Sequence, residues 1–188
     1  MIVAVVGSGG KTTLIKNLAQ KYRAEGKTVL VTTSTHMFIE EDTLLTDDAD
    51  DIICTLEERG MVMAGVPEGI KIKALSPETF EAVSSFADVV LVEADGSKHM
   101  PLKFPSATEP VIPPRVEEII LVWGPHGLGK PARAVCHRLE LVMHCLGIDG
   151  DTLITREHVF QLLEEGYLKP LKQRYPDVKI LVYPKLFQ

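Results

Sequence analysis

Residues 7–13 read Gly7-Ser8-Gly9-Gly10-Lys11-Thr12-Thr13, and they follow the unbroken apolar run Ile2-Val3-Ala4-Val5-Val6. An apolar, β-branched run of this kind is typical of a parallel strand that is buried on both faces. A helical pattern over residues 11–25 comes next, and Gly26 is placed to end it. A strand, a glycine-rich turn and a helix in this order form the setting of a phosphate-binding loop.

Each residue type in this stretch has its own task in such a loop. Glycines let successive backbone N–H groups point inward at phosphate oxygens, and the following helix adds the positive end of its dipole. Lys11 would neutralise the β- and γ-phosphates, and Thr12 would place its hydroxyl on Mg²⁺. We therefore predict nucleotide binding by the stretch Gly7, Ser8, Gly9, Gly10, Lys11, Thr12 and Thr13. An ordinary glycine-rich turn is the alternative.

The loop departs from the usual spacing of the motif. Val5 stands where the first glycine of G-x-x-x-x-G-K-[ST] belongs. The shorter arch is similar to the G-T-x-G-K-T-T loop of the Mur ligases.

The composition restricts the fold and the partners. A chain of 188 residues favours one domain over residues 1–188. With 20 Lys and Arg against 26 Asp and Glu, the net charge of -6 argues against nucleic-acid and membrane partners. No stretch approaches the ~20 apolar residues of a membrane span, and no basic leader precedes the first strand, so we expect a cytoplasmic protein. Cys54, Cys136 and Cys145 lack C-x-x-C spacing and are expected to be core thiols.

Alternating strand and helix patterns predict a three-layer α/β fold of the P-loop NTPase type with a mainly parallel sheet. A second strand over residues 28–32 closes a β-α-β unit. Ser76 and Pro77 have the form of a cap and first turn, which predicts a helix over 77–86 and then a strand over 88–92. The acidic stretch 40–51 is interpreted as a solvated loop. The remaining predicted elements are a strand over 116–123, a helix over 134–146, a helix over 155–165 that ends at Gly166, and a strand over 178–183.

Two carboxylates follow the strand of residues 88–92. Glu93 and Asp95 stand at the strand end, where a P-loop NTPase needs an acid to hold Mg²⁺ or its water. In the form Glu-x-x-Gly, Gly96 would also offer its backbone N–H to the γ-phosphate. We predict a metal role for Glu93 and Asp95 together with Thr12, and an ordinary turn is the alternative.

Hydroxyl groups cluster at the end of the second strand, in the run Thr32-Thr33-Ser34-Thr35-His36. The carboxyl ends of the strands are where open α/β sheets bind ligands. Thr33 and its neighbours would orient an attacking water, and His36 would contact substrate or act as a base. The alternative is a hydroxyl-rich turn that satisfies its own backbone.

The proline-rich stretch 97–114 is interpreted as an ordered functional loop that acts as a lid or a partner surface. Lys98, His99 and Lys103 line it, followed by Glu109 and Pro110. The later turn at residues 127–131 is not a second phosphate loop, because Pro131 stands where Ser or Thr is needed, but Lys130 is a candidate phosphate contact.

A histidine and cysteine pattern falls on the predicted helix over 134–146. His137, His144 and Cys145 would share one face of that helix. Packing in the core is preferred there to a metal cluster.

Taken in order, the segments 6–13, 29–37, 90–97, 101–103, 109–113, 128–131 and 137–138 resemble the YqeC-like family. Members of that family are described as accessory proteins of selenium-dependent molybdenum hydroxylases. The resemblance implies that Gly7 to Thr13 bind nucleotide, that Glu93 and Asp95 serve the metal, and that Lys103 and His137 are family positions of unassigned role. In the family the last strand usually runs into an Asn-Lys-x-Asp-like string that would read guanine. Here the chain has Leu181 to Leu186 instead, so the choice of base stays open.

The motifs and the resemblance together predict an Mg²⁺-dependent protein that binds ATP or GTP and hydrolyses it slowly. The candidate catalytic residues are Lys11, Asp95 and Thr33. Weaker candidates for contact with a substrate or partner are His36, Lys103, Lys130 and His137. Two alternatives stay open: a small-molecule kinase or Mur-ligase-like enzyme, and a non-catalytic nucleotide switch.

Overall fold

The computed structural model describes residues 1–186 as a mixed α/β fold with a mostly parallel central sheet. These residues form two compact units, each assembled from separate segments. Unit 1 comprises Met1–Val5, Thr12–Gly96 and Val111–Glu117, and unit 2 comprises Val6–Lys11, Ser97–Pro110 and residues 118–186. That the chain acts as a single domain stays a prediction. None of the helices described within residues 1–186 is long and apolar enough to cross a membrane.

Unit 1 is built around parallel strands with helical crossovers. Its elements are β1 (Ile2–Gly7), α1 (Lys11–Ala24), β2 (Val29–Thr33), β3 (His36–Phe38), β4 (Thr43–Leu45), α2 (Ala49–Arg59), β5 (Met61–Glu68), β6 (Lys71–Lys73), α3 (Pro77–Phe86) and β7 (Val89–Glu93). The last two residues of β1 and the first residue of α1 belong to unit 2. Strand β7 lies between β1 and β2, and β5 pairs with β2 and β4, all in parallel. Strands β6 and β3 extend this order in antiparallel fashion.

The core of unit 1 explains why these elements form. Leu30, Val62 and Val90 from three neighbouring strands are buried in one cluster with Ile52 and Leu56 of α2. The predicted first strand, first helix, second strand, helix 77–86 and following strand are confirmed, with ends that differ by at most one residue. The burial of strand side chains on both faces matches the unbroken apolar runs in the sequence.

The prediction of a solvated loop over residues 40–51 is wrong. The stretch contains β4 and the start of α2. Asp48 caps α2 by accepting hydrogen bonds from Asp50 N and Asp51 N, and these two acidic residues lie in the first turn. Carboxylates at the first turn stabilise a helix through its dipole, so the acidic residues begin a helix here. Cys54 of α2 is exposed, which corrects its assignment as a core thiol.

Unit 2 contains shorter elements. They are β8 (Leu102–Lys103), β9 (Glu118–Val122), α4 (Ala132–Val135), β10 (Cys136–His137), α5 (Leu139–Leu146), α6 (Arg156–Leu163), α7 (Lys169–Arg174) and β11 (Lys179–Tyr183). Strands β9 and β11 pair in parallel, and so do β8 and β10. A 3₁₀ turn covers Pro125–Gly127, and a π-helical turn over Glu164–Leu168 joins α6 to α7.

Two predicted helices of unit 2 are wrong in extent. The helix over 134–146 is interrupted because Cys136 and His137 pair with β8, and Arg138 then takes a left-handed φ of 58°. His137 therefore does not share a helix with His144 and Cys145. The helix over 155–165 does not end at Gly166. It continues into the π-helical turn, where a Cβ on Gly166 would lie 3.0 Å from Cδ of Pro105.

Candidate functional site

The glycine-rich stretch forms a tight loop in unit 2. Gly7, Gly9 and Gly10 have φ angles of 94°, 70° and 106°, a region that side chains rarely adopt. Ser8 is buried, and its backbone N donates to the Val122 carbonyl at 2.8 Å. The Ser8 hydroxyl donates to the Pro101 carbonyl at 2.9 Å. The loop is thus held in shape by the end of β9 and by the segment that leads into β8.

Two of these glycines are also required by space. A Cβ on Gly7 would lie 2.1 Å from the Val122 carbonyl oxygen, and one on Gly9 would lie 2.6 Å from Gly124 Cα. A Cβ on Gly10 would meet nothing within 4 Å. Backbone therefore packs directly on backbone beneath the first half of the loop, whereas Gly10 is open.

This difference gives a matched pair of variants. We expect Gly10→Ala to lower the free energy of unfolding by about 1–2 kcal/mol, the cost of a left-handed φ for alanine. Gly7→Ala has the same backbone cost and a clash with the Val122 carbonyl, so we expect a further loss of about 1–3 kcal/mol. Urea denaturation of both variants measures the difference. Equal losses would contradict the close packing of Gly7.

Lys11, the last residue of the loop, folds back over it. The residue is buried, and its ammonium donates to the Gly7 carbonyl at 2.9 Å and to the Ser97 hydroxyl at 3.4 Å. A lysine ammonium is a compact point charge with three donors, and it suits phosphate oxygens. The loop geometry thus presents a positive charge at the place where the sequence predicts phosphate.

The predicted metal residues lie in unit 1. The Thr12 hydroxyl donates to a carboxylate oxygen of Glu93 at 3.0 Å. Glu93 is the last residue of β7 and is 8% exposed, and Asp95 is fully buried two residues later. Residues 1–186 contain no group of three or more His, Cys, Asp or Glu side chains arranged to hold a metal ion. A magnesium site of one or two carboxylates that is completed by substrate phosphates needs no such group.

Lys103 and Glu109 of the proline-rich stretch form an ion cluster with Arg138 in unit 2, in which Lys103 is buried and the other two are partly exposed. The Lys103 side chain is 0% exposed, and its ammonium lies 2.8 Å from a carboxylate oxygen of Glu109. Arg138 donates to the same oxygen at 2.7 Å. Burial alone would raise the pKa of Glu109, but the hydrogen bonds from Arg138 and Lys103 outweigh it and lower the pKa to about 2.

Comparison with known proteins places this chain in a family. The model of the family described as YqeC protein matches residues 3–140. This chain belongs to the YqeC family. It is 32% identical over 189 residues to "Uncharacterized protein YqeC" of Escherichia coli (strain K12), an alignment that covers 92% of this chain and 72% of the relative. The resemblance seen in the sequence is thereby confirmed at the level of the family.

Lys103 and His137, to which the resemblance gives no role, are register partners of the parallel pair β8 and β10. Burial lowers the pKa of His137, and the positive charges of Arg138, Lys103 and Lys98 lower it further. Lys103 is enclosed and paired with Glu109, so its contact is with the protein itself. Whether either residue meets a substrate or partner stays a prediction.

Other candidate residues of this YqeC chain lie in ordinary polar surroundings. The Thr33 hydroxyl donates to the Glu93 carbonyl at 2.8 Å and accepts from Thr35 N at 3.0 Å, as a self-satisfying turn would. His36 is exposed and lies 2.8 Å from a carboxylate oxygen of Glu68. Lys130 is exposed in a turn. Their roles stay predictions.

Sequence reasoning did not find the partners that shape the loop. The Pro101 carbonyl accepts a hydrogen bond from Ser8, and Arg138 donates to the Glu109 carboxylate that also pairs with Lys103. All of these residues lie in segments that the sequence analysis names, but their contacts were not predicted. The contacts join positions that are distant in the chain, so no local spacing signals them.

A cavity of about 720 Å³ lies elsewhere in unit 1. It runs beside α1 from Lys16 to Arg23 and over Met61 and Met63. None of the predicted site residues lines it. The candidate site is therefore defined by its chemistry and loop geometry, and this cavity is not part of it.

Proposed function

We propose that this chain binds a nucleoside triphosphate with Mg²⁺ and hydrolyses it slowly. The observation that carries the proposal is the Gly7–Lys11 loop, in which three left-handed glycines curve the backbone beneath a buried lysine ammonium. The ammonium donates to the Gly7 carbonyl and the Ser97 hydroxyl. A phosphate oxygen can replace either group as the acceptor, because an anionic oxygen attracts the ammonium more strongly than a neutral carbonyl or hydroxyl oxygen does.

Thr12 and Glu93 are the proposed magnesium residues, with Asp95 as the second acid. The Thr12 hydroxyl and the Glu93 carboxylate already lie within 3.0 Å, and both are hard oxygen ligands that Mg²⁺ prefers. Thr12 follows Lys11 directly in the chain, as the metal-binding hydroxyl follows the phosphate-binding lysine in the G-K-[ST] motif. Thr12 and Glu93 would hold the metal, and its positive charge would offset the negative charge of the phosphates.

Calorimetric titration with ATP and with GTP, each with and without Mg²⁺, tests the proposal. We expect saturable binding that Mg²⁺ strengthens, and the tighter nucleotide identifies the base. Absence of binding of either nucleotide to folded protein would overturn the proposal.

We expect Thr12→Val to reduce the gain in affinity from Mg²⁺ by about tenfold, because valine keeps the shape of threonine without a metal ligand. Glu93→Gln removes the carboxylate charge and should have a similar effect. Thr12→Ser retains the hydroxyl and should bind nearly as wild type does. Calorimetry with and without Mg²⁺ checks all three variants. An undiminished Mg²⁺ effect in Thr12→Val and Glu93→Gln would contradict the proposed ligands.

A second candidate function is a nucleotide switch without turnover. It is favoured by the contact of Lys11 with Ser97, because phosphate that takes over the ammonium would release the Ser97 hydroxyl. Single-turnover hydrolysis separates the two functions: tight binding without release of phosphate supports the switch. Phosphate release without an added acceptor excludes an obligatory small-molecule kinase.

We further propose that the nucleotide serves an accessory role in the maturation of a selenium-dependent molybdenum hydroxylase. The support is the resemblance to the YqeC-like family and its order of motifs. Co-purification of the wild type with such a hydroxylase, compared with Lys11→Ala, tests this role. Equal recovery of the hydroxylase with both proteins would argue against a nucleotide-dependent role.

A further inference from the structure

The segment Ser97–Met100 forms a strained turn in unit 2. Met100 N donates to the Ser97 carbonyl at 2.9 Å, which closes a four-residue turn. Its central residues, Lys98 and His99, have φ angles of 47° and 62°. Positive φ at both central positions is the pattern of a type I′ turn, which strongly favours glycine, asparagine and aspartate. Lysine and histidine therefore occupy positions that cost backbone energy.

The surroundings hold this turn in place at both ends. The Ser97 hydroxyl lies 3.4 Å from the Lys11 ammonium. The Pro101 carbonyl accepts from the Ser8 hydroxyl at 2.9 Å and from Gly124 N at 2.8 Å. Both anchors join the turn to the proposed phosphate loop. Strain that the neighbouring structure maintains is commonly found at functional sites.

The turn carries an exposed lysine, Lys98, next in the chain to Ser97, the residue that contacts Lys11. The ammonium of a lysine is carried on a flexible stem, so it can move within reach of a group that binds at Lys11. The next lysine along the segment, Lys103, is enclosed and paired with Glu109 and is not available for this role.

We propose that Lys98 is a catalytic residue that contacts the γ-phosphate and stabilises the charge on its oxygens during hydrolysis. This inference rests on the proposed function. In the step, the oxygen of a water molecule bonds to the γ-phosphorus while the bond from that phosphorus to the bridging oxygen breaks. The electron pair of the broken bond leaves with the nucleoside diphosphate, and the proton from the water passes to a phosphate oxygen. Positive charge placed on the transferring group accelerates this step.

The test uses single-turnover hydrolysis and calorimetric binding on the full chain. Lys98→Asn removes the charge but tolerates left-handed φ, so the turn is retained. We expect it to bind nucleotide as wild type does and to hydrolyse it about 100-fold more slowly. Lys98→Arg should recover most of the rate. His99→Asn is the matched control, because it makes the same change at the neighbouring left-handed position, and its rate should stay near that of wild type.

Each other outcome has a definite meaning. Wild-type hydrolysis by Lys98→Asn would overturn the inference and leave the proposed function intact. Parallel losses of binding and rate would overturn the transition-state role, because they indicate uniform binding. Wild type that binds nucleotide without hydrolysing it would also overturn the inference. Wild type that binds no nucleotide would overturn the proposed function and this inference together.

Discussion

Lys11→Ala should bind nucleoside triphosphates at least ~30-fold more weakly than wild type in the presence of Mg²⁺. The lysine is 4% exposed, and its ammonium lies 2.9 Å from the Gly7 carbonyl. Loss of a charge pair in such enclosed surroundings costs on the order of 2–5 kcal/mol of binding free energy. Each ~1.4 kcal/mol corresponds to tenfold in affinity.

Two control variants make this result specific. Lys16→Ala removes another lysine of α1, one whose side chain is 48% exposed and paired with Glu40, so binding should be unchanged. Lys11→Arg keeps the charge but replaces the compact ammonium with a planar fork, and it should bind poorly as well. Calorimetry supplies the affinities, and thermal unfolding shows whether each variant is folded. Binding by folded Lys11→Ala at wild-type affinity would exclude the loop as the phosphate site.

Glu109→Gln should lower the free energy of unfolding by about 3–5 kcal/mol. The carboxylate neutralises Lys103, whose side chain is 0% exposed, and it also accepts from Arg138. Glutamine leaves the buried ammonium without its opposite charge. The matched control is Glu165→Gln, which breaks an exposed pair with Lys169 and should leave the free energy of unfolding almost unchanged. Urea denaturation at neutral pH measures both variants.

The same carboxylate predicts a pH dependence with a definite sign. The pKa of Glu109 is lowered from 4.5 to about 2 in the folded chain. Because the pKa is lower in the folded chain, the ionised carboxylate contributes its full stabilisation at pH values above the unfolded pKa. This contribution is lost as the pH falls from about 4.5 towards 2. The difference in stability between wild type and Glu109→Gln should therefore shrink over this window. A difference that stays constant down to pH 2 would contradict the ion cluster.

A double variant separates charge from shape in this cluster. Replacing both members of a buried pair by uncharged groups is often close to neutral. We expect Lys103→Met to restore part of the stability that Glu109→Gln loses. An additive loss in the double variant would show that Lys103 contributes by its packing.

The parts of the fold that were predictable rest on local rules. The first strand and helix follow from an unbroken apolar run and a glycine-lysine-threonine turn, and α3 follows from Ser76 and Pro77 at its start. The start of α2 also carried a local signal. Asp48 is a cap, Asp50 and Asp51 suit the first turn, and Gly60 ends the helix in a left-handed conformation. The charge of the acidic stretch alone predicts a solvated loop, whereas its capping pattern indicates the helix that the structure has.

Two further wrong predictions, at residues 136–137 and at Gly166, involve contacts with partners distant in the chain. The local sequence around Cys136 and His137 predicts a helix, but these residues pair with Leu102 and Lys103 and form a strand. Glycine is typical of a helix end, which is why the sequence predicts one at Gly166. In the structure, its lack of a side chain allows Pro105 and Phe104 to pack closely against the helix. At the candidate site, the residue types could be predicted from the motif. The contacts of Lys11 with Ser97 and of Ser8 with Pro101 could not, because each spans more than 80 residues of chain.

The close approach of Gly9, Pro101 and Gly124 has an evolutionary consequence. A Cβ on Gly9 would lie 2.6 Å from Gly124 Cα, and one on Gly124 would lie 2.6 Å from Cβ of Pro101. Gly124 belongs to no nucleotide-binding motif, yet it is confined as tightly as the loop glycine that it touches. A descendant of this chain could replace either glycine only by moving its partner in the same step. Amino-acid substitutions at these three positions are therefore expected to be coupled. The backbone conformation of the loop depends on a turn more than a hundred residues away in the chain.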